Sequence, residues 1–574
     1  MSSIEQLPNE IIYRIFDNVD SYSIINFCFT SKRFYSCLNN YTSFKINFES
    51  ILKETFDLII NLINPLNIIS LKLNDDDKTP GIMKYFIKNF QINKLNRLKS
   101  LKLIKINEND LENILKHLIN DPLNSIEIEY RQYFTMLNQP TILILYQILS
   151  KETLREVHLD MRSYQNDFIQ WPQTSNIKYL TLIHSNLYQF VQIIEKSNKY
   201  KSVTLKNFTM KNLNKIPLKS FHLKQLKSFK IEDSELIMEI IQWFISFMSD
   251  IVYFKLDGFT NIIENIFKND QLENLFEKKL KNLITFQFFI RFSSNETLIN
   301  NTIIDSFIQQ FKKSYWITNL NCFINCDFIK NCNEIHLYSL PCLNNSFKYS
   351  DKLNMISLST LSSMNYLNQR FYYINQLELN LSDLDTKSIN LKNGADSRLF
   401  PKLNSLKLTI NDQCSLNCFE YLSKIIHLNN IEKIILIICS RGDYLNFMIK
   451  EFLNFLTSLS NVNSIEIFNR WHGIFSSIDI EYFCSIIPKT VKHLDIDIFD
   501  IDNIKSLIER LEHLSSFKFK FSFNKSPFIK NILQWLSNKK INSTYILDIH
   551  YLSIWISSKT FHQTNSNKRV KLTS

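Results

Sequence analysis

Apolar and polar residues follow one short pattern along most of this chain. The pattern, apolar–x–x–apolar–x–apolar, occurs in seventeen copies between residues 68 and 519 and returns about every 28 residues. Two apolar residues separated by one residue point to the same side of a β-strand, because successive side chains alternate between its faces. Each copy therefore predicts a short strand with one buried face.

Helices are predicted between these strands. Apolar residues recur at helical spacing most clearly in residues 110–118, 236–248, 447–459 and 502–511. Strand and helix alternating with a period of 20–30 residues resemble the leucine-rich repeats, whose units bury their apolar faces only against their neighbours. The resemblance implies an α/β fold for residues 68–550, with about 17 degenerate repeats in a curved solenoid, a parallel concave sheet and outer helices.

Three further segments complete the predicted organisation. The spacing between residues 283 and 332 is too long for one repeat and predicts an inserted helix near residues 296–311. A helix near residues 49–63 makes residues 46–67 a linker to the N-terminus. Residues 551–574 are predicted to form a C-terminal tail.

The N-terminal residues 7–38 carry a different pattern. Ile11 and Ile15 recur at helical spacing after Pro8, which suits a first helical turn because its missing N–H needs no partner there. Two more short helices are predicted within residues 23–38. Three helices in about forty residues bury too little surface to be stable alone. We therefore expect another surface to cover their apolar faces.

Residues 7–38 resemble the F-box, the module by which substrate receptors bind the Skp adaptor of cullin-RING ubiquitin ligases. The agreement has no gap and includes Leu-Pro-x-Glu-Ile at residues 7–11 and Ser-x-Arg-Phe at residues 31–34, although Phe34 stands where the family often has Trp. The resemblance implies an N-terminal three-helix F-box at residues 1–45. It also implies six adaptor contacts: Leu7, Pro8, Ile11, Ile15, Ile24 and Phe34. A plain amphipathic helix hairpin is the alternative interpretation.

The predicted concave face offers candidates for binding a protein target. The residue between the two inward positions of each strand faces outward, and these residues are mainly basic or neutral early and more acidic late. The target-binding candidates are Lys230, Lys255, Phe289, Tyr338, Phe468, Asp495 and Asp497. The lysines suit an acidic or phosphorylated target and the aspartates a basic one. Alternatively, the aromatic residues pack in the core and the acids are solvated.

The composition excludes several classes of enzyme. Five isolated glycines leave no phosphate-binding glycine loop and no GxSxG nucleophile elbow, and no histidine is followed by glutamate as in HExxH. Cys322, Cys326, Cys332 and Cys342 are four, six and ten residues apart, which does not match the CxxC knuckle of zinc sites. We therefore predict a protein that is not an enzyme, with no metal and no cofactor.

Charge and hydropathy bear on partners and location. The net charge of +11, with 21% charged residues, does not indicate nucleic acid binding, and no apolar run approaches the ~20 residues of a membrane helix. The basic residues 568–571 resemble a nuclear import signal, with a solvated tail as the alternative. We expect a cytoplasmic or nuclear substrate receptor that binds the Skp adaptor, a cullin complex and an unknown protein substrate. The rival hypothesis is a leucine-rich-repeat scaffold without coupling to a ubiquitin ligase.

Overall fold

The structure is a computed structural model. It describes residues 4–131, 137–162, 171–173, 175–210, 223–260, 271–293, 301–312, 315–329, 333–340, 346–349, 355–360, 374–383, 400–415, 417–439, 443–469, 480–498, 500–520, 526–548 and 551–557.

Three short helices form the N-terminus, as the sequence predicts: α1 (Asn9–Phe16), α2 (Ser21–Cys28) and α3 (Lys32–Asn40). Asp20 begins α2, where its carboxylate accepts the backbone N–H of Ser23 at 2.9 Å. Ser31 begins α3 by accepting the N–H of Phe34 at 3.3 Å. Such side-chain caps satisfy backbone donors that have no partner within the helix.

The strands form two sheets within the described residues. In order of sequence they are β1 (Phe44–Phe48), β2 (Ile68–Asn74), β3 (Ser100–Ile106), β4 (Ser125–Tyr130), β5 (Glu156–Asp160), β6 (Tyr179–Ile183), β7 (Ser202–Lys206), β8 (Ser228–Glu235), β9 (Tyr253–Thr260), β10 (Thr285–Ser293), β11 (Phe323–Ile329), β12 (Glu334–Leu340), β13 (Ser346–Tyr349), β14 (Met355–Ser359), β15 (Gln376–Asn380), β16 (Ser405–Ile410), β17 (Lys433–Ile438), β18 (Ser464–Asn469), β19 (His493–Ile496), β20 (Ser516–Lys520), β21 (Ser543–Leu547) and β22 (Tyr551–Ile556). The first sheet has the order β1 to β10, β12, β11, β14, and the second β13, β15 to β20, β22, β21.

Helices lie between most of the parallel strands. They are α4 (Lys53–Leu62), α5 (Ile82–Asn89), α6 (Glu108–Leu115), α7 (Gln139–Leu149), α8 (Leu187–Ile194), α9 (Met238–Phe247), α10 (Gln271–Lys279), α11 (Asn301–Phe311), α12 (Cys418–Ile425), α13 (Asp443–Thr457), α14 (Ile480–Ile486), α15 (Ile501–Arg510) and α16 (Ser526–Asn538). None of the helices in the described ranges combines the length and apolar character needed to cross a membrane.

The predicted repeat register is confirmed in the parallel strands. Leu71 of β2 pairs with Leu101 of β3, which pairs with Ile126 of β4, and all three are at most 2% exposed. The residues between them, such as Lys102, lie on the opposite side of the sheet, which we call the open face. Stacked inward positions thus form a continuous core with the helices along the first sheet, and a second buried cluster runs along the second sheet, as expected for a curved repeat solenoid.

The strands do not form one continuous parallel sheet as the repeat pattern predicts. The copies of the pattern at residues 332–337 and 353–358 fall in β12 and β14, which are antiparallel to their neighbours and close the first sheet together with β11. Strand pattern does not distinguish a parallel neighbour from an antiparallel one, because both have a side-chain period of two. The helix predicted near residues 296–311 is confirmed as α11.

Two predicted boundaries also need correction. A strand, β1, occupies part of the segment assigned to a linker and pairs in parallel with β2, so the sheet starts before residue 68. Residues 551–556, assigned to the tail, form β22, which pairs with β20 and β21. Both strands cover an exposed end of the repeat stack.

The two ends of the repeat region contact each other. Trp555 of β22 is fully buried and its ring meets Phe56 of α4 edge-on, with centroids 5.7 Å apart. Thr544 Oγ1 donates a hydrogen bond to the carbonyl of Pro80 at 2.8 Å. Gly81 has φ +82°, and a Cβ added there would lie 3.1 Å from the carbonyl oxygen of Tyr545. We call this contact the terminal clasp.

Leu406→Ala and Leu377→Ala should each lower the free energy of unfolding by about 2–5 kcal/mol, because both residues fill the inward side of the second sheet. Lys407→Ala and Glu378→Ala are the matched controls on the open face. Their side chains form one half-exposed ion pair at 3.0 Å, so each should cost at most about 1 kcal/mol. Urea unfolding measures both sets, and equal losses would contradict the register.

Trp555→Ala should lower the free energy of unfolding by about 3–5 kcal/mol, because it removes a buried ring from the terminal clasp. Tyr179→Ala, which truncates an aromatic residue that is 48% exposed, is the control and should cost about 0.5 kcal/mol or less. Urea unfolding and protection of the C-terminal hairpin from protease report the effect. Equal protection in both variants would show that the clasp contributes nothing.

Candidate functional site

The N-terminal helices expose an apolar face. Ile11 and Ile15 on α1 are 39% and 38% exposed, Val19 just beyond the helix is 42% exposed, and Pro8 is exposed and Leu7 half-buried beside them. Residues three to four apart share one side of a helix, so Ile11 and Ile15 form a continuous stripe. Isolated apolar side chains are common on surfaces, but a contiguous apolar face is typical of an interaction site.

Two of the six predicted adaptor contacts are not on this face. Ile24 is 2% exposed and Phe34 is 3% exposed, and Phe34 stacks on Phe27 with ring centroids 4.1 Å apart. Their apolar spacing marks them as buried but does not tell which surface buries them. In the structure they hold the three helices together, so the accessible set is Leu7, Pro8, Ile11 and Ile15.

Polar contacts fix the start of the apolar face. The guanidinium of Arg33 on α3 donates to the backbone carbonyl of Leu7. The thiol of Cys37 donates to Asn9 Oδ1 at 3.4 Å. The two residues lie on one side of α3, four positions apart. They tie the chain before α1 to α3, so the Leu7–Pro8 segment has a defined position.

The N-terminal helices share a core with the repeats. The hydroxyl of Ser21 on α2 donates to the carbonyl of Lys45 at 2.9 Å, and α2 packs against β1 and α4. Ile12 and Phe16 belong to the same buried cluster as the inward residues of the first sheet. The first repeat therefore provides the covering surface that three small helices need.

Charged side chains on the open face mostly pair with one another across neighbouring strands. The pairs are Lys72–Glu49, Lys102–Glu127 (2.7 Å), Lys206–Glu232 (3.4 Å), Lys255–Glu232 (2.9 Å), Lys407–Glu378 (3.0 Å), Lys433–Glu466 (2.6 Å) and Lys518–Asp495 (3.1 Å). Opposite charges directly across a sheet stabilise it modestly. The electrostatic potential that a partner would meet on the open face is therefore weaker than the charges of the middle strand positions indicate.

The two candidate lysines differ in how free their ammonium groups are to bind an anionic partner. Lys255 is already paired with Glu232, and its side chain is 15% exposed. Lys230, which lies beside Lys255 in the sheet, has its Nζ 5.3 Å from the centroid of the Tyr253 ring. Within the described residues Lys230 forms no ion pair, so it is the better candidate for an anionic group.

The aromatic candidates are mostly not accessible. Phe289 and Tyr338 are 5% and 3% exposed and face each other across β10 and β12. The hydroxyl of Tyr338 donates to Asp327 Oδ2 at 2.8 Å. The sequence predicts them as anchors because they flank strands, but in the structure they pack in a small cluster with Leu340 and Phe323. Phe468 on β18 remains half-buried and reachable.

The acidic candidates do not form a free acidic patch. Asp495 is 8% exposed and lies 3.1 Å from Lys518, whose Nζ also lies 3.1 Å from Asp77 near the terminal clasp. Asp497 is 3% exposed and accepts the backbone N–H of Asn469 at 3.0 Å. Burial raises the pKa of Asp495 to about 7 despite the nearby lysine. These aspartates hold strands together and are poorly placed to bind a basic target.

A histidine on the same strand gives this region a pH dependence. Burial, with the charges of Lys78 and Lys492, lowers the pKa of His493 to about 3. The unfolded chain takes up this proton near pH 6.5, so between about pH 6.5 and pH 3 the unfolded state binds more protons. The stability contribution of neutral His493 is complete above pH 6.5 and is lost as the pH falls through this window.

In the wild type, His493 should lower the free energy of unfolding by up to about 1.4 kcal/mol for each pH unit below pH 6.5, and His493→Asn should remove this loss. Urea unfolding of the wild type and the variant at pH 7, 6 and 5 measures the difference. The raised pKa of Asp495 acts with the opposite sign, so the variant must be compared with the wild type at each pH. Identical pH slopes in the two proteins would contradict the prediction.

The described cysteines do not form a zinc cluster. Cys322 and Cys326 are 3% exposed or less, and burial raises the pKa of Cys322 to about 12 and also raises that of Cys326. Cys332 and Cys342 lie outside the described residues, as do the basic residues 568–571. A buried thiol with a raised pKa is a poor metal ligand and nucleophile.

The open face also brings together three possible metal ligands that the sequence pattern did not single out. Glu127 and Glu129 of β4 and His158 of β5 each offer a ligand atom, and these atoms lie within 4.8 Å of one another. Glu127 and His158 occupy the middle positions of successive copies of the repeat, and β4 and β5 pair them directly. The repeat alignment carried this signal, because middle positions of neighbouring copies become neighbours in the sheet.

Comparison with known families identifies the N-terminal unit. The model of the F-box domain matches residues 4–45, so the chain contains an F-box domain there. The match covers α1, α2 and α3 and the accessible apolar face on α1. No curated protein matches the chain. The F-box supports a role in binding the adaptor of an SCF-type ubiquitin ligase.

Proposed function

We propose that this protein is the substrate-recognition subunit of an SCF-type ubiquitin ligase. The F-box would bind the Skp adaptor, and through it the cullin, while the repeats hold a protein substrate. The protein would act in the cytoplasm or the nucleus and would catalyse nothing itself. Its contribution would be proximity, because holding a substrate near the ubiquitin-charged enzyme raises the effective concentration of the reacting groups.

The exposed stripe of Ile11 and Ile15, within a matched F-box, carries the adaptor half of the proposal. Leu7 and Pro8 extend the stripe, and Arg33 fixes their position. Apolar residues gathered at one face supply most of the energy of a compact interface when a partner excludes water from them. The four residues are therefore the adaptor contacts that we propose.

The open face carries the substrate half of the proposal. Most of its charges are neutralised by cross-strand pairs, so a substrate would be held chiefly through shape, hydroxyl groups and a few unpaired side chains. Lys230 and Phe468 are the accessible members of the predicted set, while Lys255 is engaged with Glu232. We propose Lys230 and Phe468 as substrate contacts.

Ile11→Asp combined with Ile15→Asp should reduce co-purification of the Skp adaptor by more than tenfold, because each change places a charge in an apolar contact. Leu143→Asp is the matched control, since Leu143 is 57% exposed on α7, outside the F-box. Co-expression with the adaptor, followed by affinity purification and circular dichroism of each variant, gives the measurement. Undiminished adaptor binding by a folded double variant would favour the scaffold without ligase coupling.

A further inference from the structure

Two neighbouring strands direct three polar side chains to one point of the open face. Glu127 and Glu129 are two residues apart on β4, so both lie on the same side of the sheet. His158 on β5 pairs with Glu127 in the register of the sheet. The convergence is a product of strand pairing, because the histidine is about thirty residues away along the chain.

The distances suit a small cation. Nδ1 of His158 lies 3.7 Å from Oε1 of Glu127, and Nε2 lies 3.6 Å from Oε1 of Glu129. In a tetrahedral zinc site with bonds of about 2.0–2.1 Å, neighbouring ligand atoms are about 3.4 Å apart. These two distances run to different ring nitrogens, and a single ion would bind only one of them. One ligand atom of each residue lies within 4.8 Å of the others, so side-chain rotations would bring the three atoms into a common coordination shell.

Two of the three groups, His158 and Glu129, have few other partners among the described residues. Nε2 of His158 is buried and has no hydrogen-bond partner within the described residues. A buried polar atom without a partner destabilises the fold, so its position needs an explanation. No lysine or arginine of the described ranges lies within ion-pair distance of Glu129, which faces the imidazole of His158.

Lys102 does not compete for the side of Glu127 that faces the histidine. Its Nζ lies 2.7 Å from Oε2 of Glu127, while Oε1 points toward His158. A hydrogen-bonded carboxylate is a common arrangement around bound metals, because the outer partner fixes the orientation of the ligand. Lys102 would thus position Glu127 without occupying its coordinating oxygen.

We propose that Glu127, Glu129 and His158 form a site for a divalent transition metal, with zinc as the ion that fits best. An imidazole nitrogen together with carboxylate oxygens suits zinc, whereas magnesium and calcium prefer oxygen ligands alone. Three protein ligands leave a fourth position open toward the open face. The proposal is independent of adaptor binding, since it involves neither the F-box nor a partner.

Zinc binding by the purified full-length chain, after treatment with a chelator, tests the proposal. Isothermal titration with Zn²⁺ should show one equivalent that is lost in His158→Ala and weakened at least tenfold in Glu129→Gln. Zn²⁺ should also raise the melting temperature of the wild type but not of His158→Ala. Since cysteines elsewhere can bind zinc, the readout is the difference between each variant and the wild type.

His336→Ala is the matched control. His336 lies on β12 at 2.9 Å from Glu334, so it is also a strand histidine beside a glutamate, but it does not belong to a three-ligand group of the described residues. It should keep the full zinc stoichiometry. Glu129→Gln is nearly isosteric, so circular dichroism identical to that of the wild type will separate loss of a ligand from loss of folding.

Any one of the following results would overturn the proposal. They are a wild-type chain that binds no zinc, an equal loss in His158→Ala and His336→Ala, and full stoichiometry in folded His158→Ala. Displacement of Zn²⁺ by equimolar Mg²⁺ would also overturn it, because a site with a nitrogen ligand must discriminate against that ion.

Discussion

The structure depends on one constraint, which is that no repeat can bury its own apolar face. Leu71, Leu101 and Ile126 are buried because each strand lies against the next and the helices cover the same side of the sheet. Such a stack leaves two ends exposed to water. Here the F-box helices cover one side of the first repeat, and the C-terminal hairpin reaches back to it. The ends of the repeat region thus become each other's cap.

This closure makes the F-box part of the repeat core. Ile12 and Phe16 belong to the buried cluster that extends through the first sheet and includes Trp555. A module of three short helices on a free linker would leave its apolar residues exposed to water. Sharing the core lets Ile24 and Phe34 be buried while Ile11 and Ile15 stay exposed. The stability of the helices and the exposure of the apolar face on α1 therefore have the same origin.

Electrostatics on the open face follows from strand pairing. Lys102 meets Glu127 and Lys407 meets Glu378 because the register places middle positions side by side. Lys255 meets Glu232 diagonally across β8 and β9. A list of charges along the chain indicates a basic half and an acidic half, but the folded face is largely neutralised. Two local features remain distinctive. They are Lys230, which forms no ion pair within the described ranges, and the group of two glutamates and a histidine.

The sequence alone determined the strands, most of the helices and the F-box, because these depend on residue spacings within a few turns or one strand. The sequence does not distinguish apolar residues that pack inside the protein from apolar residues that contact a partner. For this reason it predicts contacts at four residues that the structure buries: Ile24, Phe34, Phe289 and Tyr338. It also did not reveal β11, the antiparallel direction of β12 and β14, or the terminal clasp. Those features depend on which distant segments become neighbours, and that is decided only when the apolar ends of the stack find a surface to cover them.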